Sequence, residues 1–273
     1  MLGQKTLQDI KLLQEEVEKH DEINLKLNWD MLQKREGDEQ HDFFYYDKDE
    51  LIAFVGTYRF GNKAEVCGMV KPIERRKGHA TRLILEAVAQ LKAAGINHVL
   101  VNAPAKSVSG QSFAKSLPTA YSFSEHQMKW HPNKMKTSAT GEVTLSEASD
   151  TDLAYIIKMD ALGFDMSEAE AGSMYKSGVE EGTYIIYAGE VKAGKLRIVD
   201  ERNESWIYGF VVTPAMQGRG IGRSVLQQVV ERERAKGRDI HLEVALENPR
   251  ALKLYTSVGF IETGSQDYFL FKE

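Results

Sequence analysis

The chain has 273 residues, 42% hydrophobic and 27% charged, which is longer than a typical single domain and has the composition of an ordinary soluble globular protein. Its formal net charge of −5 is too mild to argue for a nucleic-acid or membrane partner, and no apolar run reaches the roughly 18 residues of a membrane span. No signal-peptide core opens the chain, and its one cysteine, Cys67, excludes an internal disulfide framework; both point to a cytoplasmic protein.

In chain order, Leu7, Ile10, Leu13 and Val17 keep one face of a helix. Segments 42–46 and 51–60 read as strands joined by the turn D-K-D-E. An apolar strand then leads into V-K-P-I-E-R-R-K-G-H-A, followed by a helix with Leu83, Ile84, Ala87, Val88 and Leu91 on one side. That helix stops at Gly95, and a short strand, N-H-V-L-V, follows. The polar stretch 130–142 reads as a boundary, dividing the chain into 1–132 and 143–273.

The second part repeats the first. Leu153, Ile156, Ile157 and Leu162 mark a helix, with Asp150 or Thr151 placed to cap it. Segments 183–188 and 191–199 read as strands. The stretch 209–222, G-F-V-V-T-P-A-M-Q-G-R-G-I-G, then aligns with its earlier counterpart. Pro72 falls on Pro214, Gly78 on Gly220 and Ala80 on Gly222, each pair 142 positions apart. A helix carrying Ile221, Val225, Leu226, Val229 and Val230 stops at Gly237, also 142 from Gly95, before the strand I-H-L-E-V. Each half is therefore expected to be an α+β unit, a mixed and mostly antiparallel twisted sheet flanked by helices.

The glycines between 218 and 222 leave main-chain N–H groups bare where a helix begins, which is an anion site. The helix dipole adds about 0.3–1 kcal/mol and each N–H bond to a charged oxygen about 1.5–3 kcal/mol. A ligand carrying phosphates is expected there.

At these residues the second half resembles a GCN5-related N-acetyltransferase (GNAT) domain, and the whole chain a tandem GNAT protein. Gln217, Gly220 and Gly222 meet the family's Q/R-x-x-G-x-G/A signature. Leu242, Glu243, Val244, Asn248, Ala251, Leu254, Tyr255, Gly259 and Phe260 meet its L-E-V…N-x-x-A-x-x-L-Y-x-x-x-G-F signature. In the first half Arg75, Gly78 and Ala80 survive, while the later motif is nearly erased. The two-domain plan is similar to that of mycothiol synthase, in architecture alone.

The resemblance implies acetyl-coenzyme A as donor, an amine of a small molecule or peptide as acceptor, direct transfer, and no metal. It places the pantetheine arm along Phe210, Val211 and Val212 and the diphosphate on amides of Gly218, Arg219, Gly220, Ile221, Gly222 and Arg223. Arg219 and Arg223 are placed to reach phosphates with their side chains, and Asn248 to reach the pantetheine. In such a site Glu243 is the base and Tyr255 the acid. An alkylammonium titrates near 10.4 and must lose a proton before it attacks, whereas a phenol near 10 still holds one to give a departing thiolate. Amides around Val211 and Val212 would meet the oxyanion. The bland readings stand beside these: Glu243 as a strand-edge carboxylate in solvent or paired with His241 or Arg238, and Tyr255 as a packing residue. The stretch 164–168 falls where family members meet the acceptor.

The offset of 142 sets Glu243 against Val101 and Tyr255 against Phe113; matching Phe123 to Phe260 sets Pro118 there instead. Neither alignment supplies a carboxylate or a hydroxyl, although Tyr121 is near. The first half is thus expected to be silent, either holding coenzyme A on its basic loop, or shaping the acceptor cleft, or merely presenting solvated charge. Cys67 reads as a small buried hydrophobe, and His126 and His131 lack the partners of a zinc site. Two rival readings remain. One is a duplicated module that senses acyl-CoA without chemistry. The other is a dinucleotide oxidoreductase, for which Gly218 and Gly220 fit the fingerprint but Arg223 occupies the third glycine position.

Overall fold

The computed structural model describes residues 2–35, 40–134, 142–201 and 203–272. Residues 135–141, the middle of the expected boundary, lie outside the described residues. The chain forms two compact units, Met1–Ser124 with Gly264–Glu273, and Glu125–Thr263.

The first unit opens with helix α1 (Gln4–Asp21), whose Ile10, Leu13 and Val17 are buried as the spacing predicts, followed by the single turn α2 (Trp29–Gln33). Strands β1 (Asp42–Asp47), β2 (Glu50–Phe60) and β3 (Lys63–Val70) form an antiparallel meander. Helix α3 (His79–Ala93) crosses over to β4 (His98–Pro104), which pairs in parallel with β3. Helix α4 (Val108–Ser116) leads into β5 (Thr119–Trp130). Residues 266–270 of the last strand pair antiparallel with β4. β2 is buried on both faces because α3 covers one side and α1 the other. Ala53 and Val55 pack with Leu83, Ile84 and Leu91, while Phe54 and Tyr58 pack with Ile10 and Leu13.

The second unit repeats this plan. β6 (Thr144–Glu147) precedes α5 (Leu153–Gly163) and the short α6 (Glu168–Ser173). The antiparallel strands β7 (Thr183–Ala188), β8 (Val191–Glu201) and β9 (Glu204–Val212) come next. α7 (Ile221–Ala235) crosses to β10 (Asp239–Ala245), parallel to β9, and α8 (Pro249–Val258) leads to β11 (Phe260–Phe271). Residues 125–129 of β5 pair antiparallel with β10. Each unit is thus a mixed sheet flanked by helices, and its antiparallel meander is not the doubly wound parallel sheet of a dinucleotide-binding oxidoreductase.

One expected cap is corrected. The turn ahead of α5 is closed by Ser149, whose N–H donates to Asp152 Oδ2 at 3.0 Å in a reciprocal box. The Asp150 carboxylate instead accepts from Val179 N, at 3.0 Å. Both crossover helices end as expected, with Gly95 (φ +79°) and Gly237 (φ +74°) just past their last turns.

Candidate active site

β9 and β10 pair only as far as Ile207 and Leu242 and then diverge, so the end of β9 and residues 243–245 border an open V. β9 also carries one residue more than β8 at this point. Lys195 lies opposite Val211 and Arg197 opposite Tyr208, so Gly209 and Phe210 share the space facing Leu196. Gly209 has φ +55°, and a Cβ there would stand 2.8 Å from Lys195 Nζ, so both backbone and space demand glycine. Alternate amides of a paired strand turn away from their neighbour, so beyond the bulge β9 directs N–H groups toward the V.

Past β9 the chain turns through Pro214–Met216 into the glycine loop. Gly218 (φ +78°) and Gly220 (φ +82°) are left-handed, and the Cβ position of Gly218 is open space, so conformation and not crowding selects glycine there. Gly222 is different: a Cβ there would press on Leu254 of α8 at 3.0 Å. No side chain caps α7, which leaves its first amides for another acceptor. Gln217 is tied down at both ends. Its Nε2 donates to Val212 O at 2.9 Å and its Oε1 accepts from Arg250 Nη1 at 2.8 Å. Arg219 is exposed, whereas Arg223 Nε is buried without a hydrogen-bond partner among the described residues. A buried, unpartnered guanidinium nitrogen beside bare amides fits an anionic group such as a diphosphate.

Glu243 sits half-buried on β10, accepting from Gln127 Nε2 at 3.2 Å. β10 pairs with β5 through Ala245 but with β9 only as far as Leu242, so Glu243 stands where the edge of β10 opens onto the V. Arg238 instead pairs with Asp200 and Glu233. His241 stacks on Trp206 with ring centres 4.9 Å apart, and burial pulls its pKa down toward the neutral imidazole. Tyr255 is 8% exposed in the core under α7, its ring edge-on to Phe260, and burial pushes its phenol up to about 12. Asn248 Oδ1 caps α8 by accepting from Ala251 N at 3.0 Å. The segment 164–168 joins α5 to α6, with Phe164 exposed. Among the described residues no three His, Cys, Asp or Glu side chains gather as a metal site, and no helix is long and apolar enough to cross a membrane.

The first unit keeps the frame and changes the groups. Its strands β3 and β4 diverge after Val66 and Val101, and β3 runs against β2 in unbroken register. Matching the last parallel pairs, Val66–Val101 with Ile207–Leu242, sets Asn102 against Glu243. Val101, the counterpart expected from the 142 offset, faces the α3 core instead. Matching the caps, Ser107 on α4 with Asn248 on α8, sets Ala114 against Tyr255, so neither Phe113 nor Pro118 holds that place. The carboxylate and hydroxyl are absent from the equivalent positions, for residues other than those expected. Cys67 is buried as expected and accepts from Asn102 Nδ2 at 2.9 Å.

The first unit also holds a feature that the sequence did not signal. A cavity of about 820 Å³ is lined by Val70, Arg76, Gly78, His79, Asn102 and Ser107, among others. Arg76 takes the left-handed conformation of Gly218, at φ +66°. Arg75, in the position of Gln217, is held by Asp21 at 2.8 and 3.0 Å.

The acetyltransferase (GNAT) family model matches residues 6–109 and again 154–260, and the chain belongs to that family as a tandem of two such domains. N-alpha-acetyltransferase RimI of Mycobacterium tuberculosis (strain ATCC 25618 / H37Rv) is 35% identical over 101 residues, 37% of this chain and 60% of that protein. Uncharacterized protein ML0378 of Mycobacterium leprae (strain TN) is 32% identical over 104 residues, 38% of this chain and 27% of that one. The chain therefore spans 60% and 27% of the lengths of these curated relatives.

Among solved structures, a GCN5-related N-acetyltransferase from Sphaerobacter thermophilus superposes with TM-score 0.76 at 18% identity, over 97% of this chain and 92% of that one. A tandem GNAT protein from the clavulanic acid biosynthesis pathway gives 0.61 at 14% identity, over 84% and 81%. At these identities the likeness is one of fold.

Proposed function

We propose that the chain is an acetyl-CoA-dependent N-acetyltransferase whose chemistry takes place in the second unit, on a primary amine. The carrying observation is the V between β9 and β10, because the bulge at Gly209, the glycine loop, Glu243 and Tyr255 all occur in this unit. The family repeats are taken to run 1–132 and 143–273 in sequence, each compact unit being completed by strand segment 264–273 or 125–130.

The donor supplies the thioester. The main-chain amides of 218–223, with Arg223, hold its diphosphate, and Phe210, Val211 and Val212 guide the arm along β9. Asn248 closes the other wall, and Arg219 remains at the rim. Glu243 takes the proton of the incoming ammonium, directly or through one water, which frees the nitrogen lone pair to attack the carbonyl carbon. Amides of the bulged strand meet the charge that develops on the carbonyl oxygen, at a cost of about 2.7–4 kcal/mol if one donor is lost. As the carbon–sulfur bond breaks, the nitrogen gives up its second proton to solvent to become the amide, and Tyr255 gives its proton to the thiolate and is reprotonated from solvent. The name of the RimI relative supports a peptide α-amine as the acceptor class.

A second reading concerns the first unit. Its cavity and the retained left-handed turn at Arg76 support a coenzyme bound there without turnover. The same features would serve an acyl-CoA sensor.

Thiol release from acetyl-CoA against free-amine peptides and small amines tests the proposal. Release that requires the amine, and that falls when Tyr255 or Glu243 is substituted, supports it. No amine-dependent release across the panel, with the nucleotide bound, favours the sensor.

A further inference from the structure

A buried charge cluster in the second unit has no part in the chemistry above. Lys195 on β8 is 3% exposed and forms an ion pair with Asp160 Oδ1 of α5, itself 2% exposed. Tyr175, just beyond α6, donates its hydroxyl to the other oxygen of the same carboxylate, and Lys195 Nζ lies 3.5 Å from that hydroxyl. Burial pulls the Lys195 pKa down while Asp160 opposes it. The Tyr175 phenol is pushed up by burial and by Asp160, so it remains a donor.

Such a cluster is a poor way to stabilise a core. An ion pair taken out of water recovers little over apolar residues of similar volume, and replacing one is often neutral or stabilising. This chain contains that replacement. In the register of the meanders, the Lys195–Val211 pair corresponds to Phe54–Met69 in the first unit. There Phe54 is fully buried in an apolar cluster with Ile10, Leu13 and Tyr58. The fold therefore closes without charge at this position. The first unit also lacks the bulge, its β2–β3 register being unbroken. The ion pair and the bulge occur together in one unit and are both missing from the other.

Geometry connects them. Lys195 Nζ lies directly behind Gly209, where a Cβ would come within 2.8 Å of it, and Asp160 Oδ1 is 4.0 Å from the same point. One turn after Asp160, α5 closes on the strand so tightly that a Cβ on Gly163 would collide with Val211. We propose that Lys195, clamped by Asp160 and Tyr175, is a positioning residue that backs the Gly209 bulge and so fixes the β9 amides against the acyl carbonyl. The inference rests on the second-unit reading above.

The test is isotope-edited infrared spectroscopy of acetyl-CoA labelled with carbon-13 at the thioester carbonyl, bound to the full chain. The wild-type protein should show a carbonyl band moved to lower frequency by the amide hydrogen bonds. Lys195→Met/Asp160→Asn should melt no lower than wild type and bind acetyl-CoA within about threefold. It should nonetheless lose the moved band, and where an acceptor is turned over kcat should fall about tenfold with KM little changed. Tyr175→Phe, which keeps the ion pair, should shift the band part of the way back and gives the same reading if the double variant does not fold. A moved band identical in wild type and both variants overturns the positioning role alone. No moved band in the wild type overturns the second-unit reading and this inference with it.

Discussion

The burial that makes Tyr255 part of the core also keeps its proton in place, as the proposed acid role requires. Its phenol, pushed up to about 12, stays protonated where a free tyrosine near 10 ionises. Three outcomes follow at this scale. Tyr255→Phe and Glu243→Gln should each lower kcat by roughly 10²–10⁴ in a thiol-release assay, and an unchanged kcat would return that residue to a packing role. On the alkaline side the unfolded chain releases the Tyr255 proton while the folded chain holds it. Stability should therefore decline as pH rises from about 10 to 12, as seen in denaturant melts, and Tyr255→Phe should remove that part of the decline. Gly209→Ala should cost about 1–3 kcal/mol, since it places a side chain at φ +55° and against Lys195, and acetyl transfer should fall with it.

At the scale of elements, the repeat was legible in the sequence and its fine register was not. Helices α3 and α7 start 142 residues apart, whereas the strand pairs β3–β9 and β4–β10 start 141 apart. The difference is the extra residue of the bulge at Gly209, cancelled by one more residue between Gly95 and β4 than between Gly237 and β10. A single offset read from the glycines hides both changes, and it set Glu243 and Tyr255 against the wrong first-unit residues. Lys195 escaped notice for a related reason. A lysine in an alternating strand reads as solvent-facing, and it is buried here by α5 and Tyr175 packing on that face. The loops carry a test of their own. Arg76 holds a left-handed turn with φ +66°, which costs a non-glycine residue about 1–2 kcal/mol, partly offset by the entropy a glycine would lose. Arg76→Gly should leave the melting temperature equal or slightly raised; a clear loss would mean that the arginine side chain makes up more than the strain.

For the whole molecule, the two α+β repeats and the glycine loop were legible in local spacing, and the family in the resemblance carried by its two signatures. The sequence did not supply the first unit's cavity, which depends on how α1, β3 and α4 pack and on no one motif. The two clefts thus differ in what they hold. The second holds the bulge, the carboxylate and the phenol, and the first holds a cavity of about 820 Å³ and a basic loop without those groups. Under the proposed function, chemistry belongs to the former and at most storage or sensing to the latter. A crystal structure of the full chain with acetyl-CoA tests this most directly. The account predicts the diphosphate on the amides of 218–223 and the thioester against β9, within reach of Tyr255. Nucleotide density confined to the first-unit cavity, with the glycine loop of the second unit empty at saturating acetyl-CoA, would contradict it.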